Sequence, residues 1–186
     1  MTRRHIPRGA GARVAGLFRR FLPGPRKAER AAKGHTPHSP HTRPSMAPDP
    51  HRTPRGTRTR AHPTKNKDRS LRRENESADT LSRDGYDVEQ NPPPKPNGKE
   101  PDYKVEGEYM DCYSPTSADP DNVRDQISSK LRDKAGNLQA DRIVLNLDDS
   151  PLSNDQIKDI LTRKPIADLK EIIVVRGGKS VPFFPF

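Results

Sequence analysis

The spacing of apolar residues predicts a helix that begins near residue 70. Leu71, Glu74, Ala78 and Leu81 recur at intervals that bring them to one helical face. Gly85 follows this pattern, where a residue in the left-handed conformation commonly ends a helix. The helix therefore presents one carboxylate within an otherwise apolar stripe.

Three short strand patterns come next, at residues 86–90, residues 102–105 and Glu108–Tyr113. An Asn-Pro-Pro-Pro segment follows the first strand, and Glu106-Gly107 provides a turn between the other two. These patterns predict a three-strand meander.

A second helix should begin at Asp119, which suits an N-cap, with Pro120 at the first helical position. Its buried stripe consists of Val123, Ile127 and Leu131. Residues 142–147 then form a nearly continuous apolar run, typical of a strand that is covered on both faces.

A capping box of Ser153 and Gln156 predicts the start of a third helix. Its core face comprises Ile157, Ile160 and Leu161. Strands at residues 169–176 and 181–184 follow, separated by a Gly-Gly turn. The order is helix, three-strand meander, helix, strand, helix, strand and a last short strand. It indicates an α/β fold with helices packed on a mixed central sheet that is partly parallel.

Charge divides the chain into two unlike parts. The net charge is +10 overall, yet residues 1–70 hold 18 Lys and Arg against 3 Asp and Glu. A segment so poor in apolar residues cannot offset the entropy of ordering it. We therefore predict a long disordered basic arm over residues 1–69 and a compact domain over residues 70–186. No run of about 18 apolar residues occurs, so no membrane span is expected.

The compact domain contains no histidine, since all six histidines lie at or before His62. This excludes Ser-His-Asp and Cys-His catalysis and a His-rich zinc site within the domain. Carboxylates, lysines, amides and hydroxyls remain. Carboxylates suit Mg²⁺ or another hard divalent cation, which activates water and neutralises phosphate charge.

Three carboxylates occupy positions that solubility does not require. Glu74 lies in the apolar stripe of the first helix, Asp102 follows Pro101 at a strand start, and Asp111 lies inside a strand. We expect these three carboxylates to be metal ligands. Structural roles stay open as alternatives, since Glu74 could simply pair with an arginine and Asp102 could simply form part of a turn. Lys130 borders the buried face of the second helix and is a candidate catalytic residue with Asp111, unless its ammonium group extends to solvent.

Tyr113 and Ser114 end the third strand, where they contact substrate or only close the hairpin. A basic patch near the second helix is the candidate for phosphate binding, and it comprises Arg124, Arg132, Lys134 and Arg142.

The sequence resembles a known nuclease core at this point. Pro101-Asp102 followed by Asp111-Cys112-Tyr113 is similar to the PD-(D/E)xK motif, except that Tyr113 stands in place of the lysine. Lys130 is the candidate to replace that lysine. Longer stretches resemble the C-terminal tRNase domain of CdiA proteins, over about residues 72–184. They include Gly85-Tyr86-Asp87-Val88-Glu89-Gln90-Asn91-Pro92 and Gln139-Ala140-Asp141-Arg142-Ile143-Val144-Leu145-Asn146-Leu147.

The resemblance implies a tRNA endonuclease, the toxic C-terminal module of a contact-dependent inhibition or polymorphic toxin system. Such a toxin is secreted or delivered, acts in the cytoplasm of a target cell, and is neutralised by a cognate immunity protein. A host factor is a further candidate partner. Two alternatives stay open. One is an inactive module that binds nucleic acid or an immunity protein, and the other is a metal-independent, barnase-like RNase that uses Tyr113, Ser114, Lys130 or Arg142.

Overall fold

A seven-stranded mixed sheet forms the centre of the fold, in a computed structural model that describes residues 40–132 and 136–186. The strands follow chain order across the sheet. They are β1 Arg55–Gly56, β2 Val88–Gln90, β3 Tyr103–Val105, β4 Glu108–Tyr113, β5 Arg142–Asn146, β6 Glu171–Arg176 and β7 Lys179–Phe184.

The sheet is partly parallel, as the sequence predicts. Strand β5 pairs in parallel with β4 and with β6, while β2, β3 and β4 form the antiparallel meander and β7 runs antiparallel to β6. Parallel neighbours need a crossover connection. Helix α2 (Pro120–Leu131) provides it between β4 and β5, and α3 (Asn154–Arg163) provides it between β5 and β6.

Two hydrophobic cores cover opposite faces of the sheet. Successive side chains of a strand point to opposite faces, so Ile143 and Leu145 of β5 join the core that contains α2 and α3. Val144 between them joins the core beneath α1 (Arg69–Arg83). All three apolar residues predicted for each of α2 and α3 are buried, which confirms both helical stripes.

The helix caps also lie at the residues that the sequence predicts. Asp119 accepts a hydrogen bond from the Asp121 amide, and Ser153 and Gln156 form both bonds of the capping box. Gly85 follows α1 with φ +98°, and a Cβ there would lie 2.2 Å from the carbonyl oxygen of Met46. That position therefore requires glycine for both its backbone angle and its close neighbour.

Residues 40–68, which we call the strap, differ from the prediction of a disordered arm up to residue 69. They belong to the compact unit, which spans Pro37–Phe186. Thr42 donates two hydrogen bonds to the Glu171 carboxylate, from its amide at 2.7 Å and from its hydroxyl at 2.6 Å. Strand β1 adds to the edge of the sheet beside β2.

The predicted domain boundary therefore lies about 30 residues too late, because this segment is held by long-range contacts that leave no periodic pattern in its sequence. The first part of the predicted arm, residues 1–39, lies outside the described residues. Within the described part, no helix is long and apolar enough to cross a membrane.

Candidate active site

Two neighbouring cavities share a wall made of Leu71, Glu74 and Asp102. The first, of about 410 Å³, contains two cationic side chains, and we call it the basic cavity. Its remaining lining residues are Arg69, Ser70, Cys112, Tyr113, Ser114 and Lys130. The second, of about 460 Å³, contains three prolines, and we call it the proline cavity. Its remaining lining residues are Thr59, Asn91, Pro92, Pro94, Glu100 and Pro101.

The pairing of β3 with β4 brings Asp102 and Asp111 together. Tyr103 lies opposite Met110 in this antiparallel ladder, so the aspartates one step further out face each other. The Asp102 amide donates to Asp111 Oδ1 at 3.3 Å, and the Cys112 amide donates to Asp102 Oδ2 at 2.7 Å. Each carboxylate thus accepts a hydrogen bond from the backbone of the other strand.

Asp111 lies behind Asp102 and is fully buried, and it lines neither of the two cavities. Gln139 donates to its Oδ2 at 2.6 Å. Burial and the nearby charge of Asp102 raise the pKa of Asp111 to about 6, against the opposing effect of Lys130. Asp111 is therefore a perturbed carboxylate inside a strand, and its partner Gln139 lies 28 positions further along the chain.

Glu74 enters the shared wall from α1 and is 7% exposed. The hydroxyl of Thr59 donates to its Oε1, and Gln90 Nε2 donates to the same oxygen at 3.3 Å. Burial raises the pKa of Glu74, as does the charge of Asp102, and the two hydrogen bonds and Lys130 act in the opposite direction.

The strap supplies Thr59, which the sequence analysis assigned to a disordered arm. Asn75 holds the Thr59 backbone in two places, since its Oδ1 accepts from the Thr59 amide at 3.1 Å and its Nδ2 donates to the Thr59 carbonyl at 2.9 Å. Gln90 Nε2 also donates to Asn75 Oδ1 at 2.7 Å. The hydroxyl that contacts Glu74 is thereby fixed by two residues of the domain.

Lys130 lies in the last turn of α2 and lines the basic cavity. Its positive charge opposes the rise in the pKa values of Glu74, Asp102 and Asp111. The structure therefore brings this lysine to the three predicted carboxylates, although it comes from a different element.

Tyr113 and Ser114 line the same cavity, and burial raises the pKa of the Tyr113 hydroxyl. Cys112 lies between Asp111 and Tyr113, and burial raises the pKa of its thiol to about 12. A thiol that stays protonated is a poor nucleophile, and Cys112 belongs to the core beneath α1.

Arg69 is a cationic residue of the basic cavity that the sequence analysis missed. Its Nη1 donates to Asp149 Oδ2 at 2.7 Å and its Nη2 donates to the Ser114 carbonyl at 2.6 Å. Arg73 binds the same aspartate. No periodic signal marks Arg69, because it opens α1 directly after the strap.

The predicted phosphate-binding arginines lie elsewhere, and none lines either cavity. Arg124 donates to the carbonyls of Lys164 and Pro165, Arg132 binds Asp168, and Arg142 binds the buried Glu171 at 2.7 Å. Lys134 lies outside the described residues.

The donor set of the shared wall fits a divalent cation that keeps water ligands. Mg²⁺ is commonly held by one or two carboxylates together with water and substrate phosphates, and Glu74 and Asp102 meet that description. Part of the rise in the pKa of Glu74 comes from Asp102, a repulsion that a cation would relieve. Across residues 40–132 and 136–186, no three acidic, histidine or cysteine side chains converge into a ready three-ligand site.

Comparison with known proteins gives concordant matches. The family described as contact-dependent growth inhibition CdiA C-terminal domain matches residues 99–181. A curated relative, "tRNA nuclease CdiA-2" of Burkholderia pseudomallei (strain 1026b), is 41% identical over 107 residues, which is 58% of this chain. The chain spans about 3% of the length of that relative.

A solved structure, the "CdiA-CT/CdiI toxin and immunity complex from Burkholderia pseudomallei", resembles the fold with a TM-score of 0.61 and 37% identity. The match covers 70% of this chain and 97% of that chain.

Proposed function

Because the chain belongs to the family of CdiA C-terminal toxin domains, we propose that it is a toxin nuclease that cleaves tRNA by metal-dependent hydrolysis of a phosphodiester bond. The observation that carries this proposal is the convergence of Glu74, Asp102 and Lys130 on one cavity. These residues come from α1, from the position directly before β3 and from the end of α2. The name of the 41% identical relative supports tRNA as the substrate.

Glu74 and Asp102 would hold a Mg²⁺ ion directly. Asp111, which the sequence predicted as a third ligand, is fully buried and lines neither cavity, so we assign it a positioning role. When bound, the ion would polarise the phosphate and lower the pKa of a coordinated water. Asp111 keeps Asp102 in place through the Asp102 amide, and Gln139 fixes Asp111 in turn. Thr59 and Gln90 orient the Glu74 carboxylate.

The cationic side of the basic cavity would receive the phosphate. Lys130 places a positive charge close to the carboxylates, where it can stabilise charge that develops on the phosphate oxygens or orient the attacking water. Arg69 is held by Asp149 and by the Ser114 carbonyl, so its guanidinium is pre-organised at the rim for a flanking phosphate. This assigns to Arg69 the phosphate contact that the sequence analysis gave to Arg124, Arg132, Lys134 and Arg142.

Cleavage of purified tRNA tests the enzyme and its metal together. The full chain is incubated with total tRNA in Mg²⁺ or in EDTA, beside Asp102→Asn and the surface control Asp155→Asn. We expect cleavage that EDTA abolishes and Mg²⁺ restores, with loss of activity only in Asp102→Asn. Cleavage that persists in EDTA would refute the metal and favour chemistry by Tyr113 or Ser114, which line the same cavity. No cleavage of any RNA would favour a binding module.

The solved relative is a complex of toxin and immunity protein, and we propose a cognate immunity protein as the partner of this chain. We also propose delivery into the cytoplasm of a target cell, where tRNA is available. Expression of the chain in a bacterial cytoplasm should stop growth and deplete intact tRNA, while Asp102→Asn should do neither. Growth that continues with intact tRNA at equal protein levels would refute toxicity.

A further inference from the structure

The two cavities that meet at Glu74 and Asp102 differ in charge. The basic cavity contains Lys130 and Arg69, whereas none of the described residues that line the proline cavity is a lysine, arginine or histidine. The proline cavity adds a third carboxylate, that of the exposed Glu100. A phosphate would be repelled there, so the proline cavity suits a part of the substrate that carries no negative charge.

Hydrogen-bond donors of the side chains that line the proline cavity are already in use. Asn91 Nδ2 donates to the Thr57 carbonyl at 2.6 Å and to Thr59 Oγ1 at 2.9 Å. The Thr59 hydroxyl donates to Glu74. Carboxylates in their ionised form only accept. These side chains therefore offer acceptors alone, and the complementary ligand must present donors.

The proline cavity offers apolar surface beside its oxygen acceptors. Pro92, Pro94 and Pro101 line it, and proline fixes its own backbone angle. The face of an unstacked base packs on such surface while its edge reaches the acceptors. Sequence-specific RNA recognition commonly uses unstacked bases that are read along their Watson–Crick edges.

On these grounds we propose that the proline cavity is a nucleobase subsite that selects guanine beside the cleaved phosphate. This inference rests on the proposed function for the identity of the polymer. Guanine is the common base whose Watson–Crick edge presents two neighbouring donors, N1–H and the N2 amino group. These can donate to the two oxygens of Glu100 as a bidentate pair. Adenine, cytosine and uracil each place an acceptor next to their donor on that edge.

Binding of single nucleotides tests the subsite without any need for cleavage. Backbone amide NMR spectra of the full chain are recorded in EDTA during titrations with GMP, IMP, AMP and CMP. The phosphate is common to all four, so differences in affinity report the base. We expect GMP to shift the amides of Thr59, Asn91 and Glu100. It should bind at least about five-fold more tightly than IMP, which lacks the N2 amino group.

Glu100→Gln should remove the preference for GMP over IMP, because one carboxylate oxygen becomes a donor. The control Asp155→Asn removes one negative charge from the exposed first turn of α3 and should keep the preference. Equal affinity for the four nucleotides, shifts confined to other regions, or a preference that survives in Glu100→Gln would overturn the proposal.

The nucleotide titration and the tRNA assay distinguish failure of the guanine subsite from failure of the proposed nuclease. If tRNA is cut and GMP is not preferred, the subsite is refuted and the nuclease stands. If GMP is preferred and no RNA is cut, the nuclease is refuted and a guanine-binding site stands. Where RNA is cut, sequencing the ends of products from a random-sequence RNA should place guanine at one fixed position for the wild type. That bias should weaken by about five-fold or more in Glu100→Gln.

Discussion

Replacing Thr59 by valine tests whether the strap controls the ionisation of Glu74. Valine keeps the shape of threonine but removes the hydroxyl that donates to Glu74 Oε1. A hydrogen bond to a charged group contributes about 1.5–3 kcal/mol, and Glu74 is only 7% exposed, so water replaces little of it. Gln90 remains as a donor at 3.3 Å.

The lost bond stabilises the ionised form of Glu74, so its removal raises the pKa of Glu74 further. If cleavage requires ionised Glu74, the acidic limb of kcat against pH moves to higher pH. On that limb, the loss of about 1.5–3 kcal/mol corresponds to a fall in kcat of about ten-fold or more. Activity at high pH should change less.

The assay is tRNA cleavage under saturating substrate from about pH 5 to pH 9, with thermal unfolding as a check on the fold. Thr59→Ser keeps the hydroxyl and should restore the acidic limb of the wild type. A Thr59→Val enzyme with an unmoved acidic limb would show that the strap does not act through Glu74. An equal loss at every pH would indicate a structural role alone.

Two further expectations concern stability, and one concerns the substrate. Burial raises the pKa of Asp111 from 3.8 to about 6, so the folded state binds more protons in that window and stability falls as pH rises through it. Asp111→Asn removes this effect and should raise the free energy of unfolding at pH 7.5 by up to about 3 kcal/mol, a gain that shrinks near pH 4. Urea unfolding without any gain at pH 7.5 would contradict this. The same variant should abolish cleavage, because Asp111 holds Asp102 in place. Thr42→Ala removes a hydroxyl bond to the fully buried Glu171 and should cost about 1.5–3 kcal/mol in the same assay, whereas Thr42→Ser should be near wild type. Arg69→Gln should raise KM for tRNA by about ten-fold or more and lower its salt dependence, and an unchanged KM would remove Arg69 from the phosphate contact.

Periodicity explains why the helices and the sheet were predictable. Helix α2 turns a single face toward the sheet, so its apolar residues recur at helical spacing. The residues on that face, Val123, Ile127 and Leu131, are buried. The same spacing identified Glu74 as a carboxylate on a buried face. Several observed strand ends differ from the predicted ones by one to two residues. Strand β5, for example, was predicted over residues 142–147 and is observed over Arg142–Asn146.

Contacts between distant segments account for what the sequence did not predict. The strap is polar and aperiodic, and its place is fixed by bonds such as those of Thr42 with Glu171, which are 129 positions apart. The arginines near α2 form a basic patch in sequence, but Arg124 instead donates to carbonyls beyond the end of α3. The sequence gives the charge of a side chain, but it does not show which group that side chain binds in the folded protein.

The contact of Thr59 with Glu74 also sets the shortest fragment that keeps the whole candidate site. The family model begins at residue 99, whereas two walls of the candidate site come from α1 and the strap. A fragment that begins at residue 99 would keep Asp102 and Asp111 but would lack Glu74 and Thr59. A fragment that holds the complete site, together with the bonds that fix the strap to Glu171, must begin before Thr42.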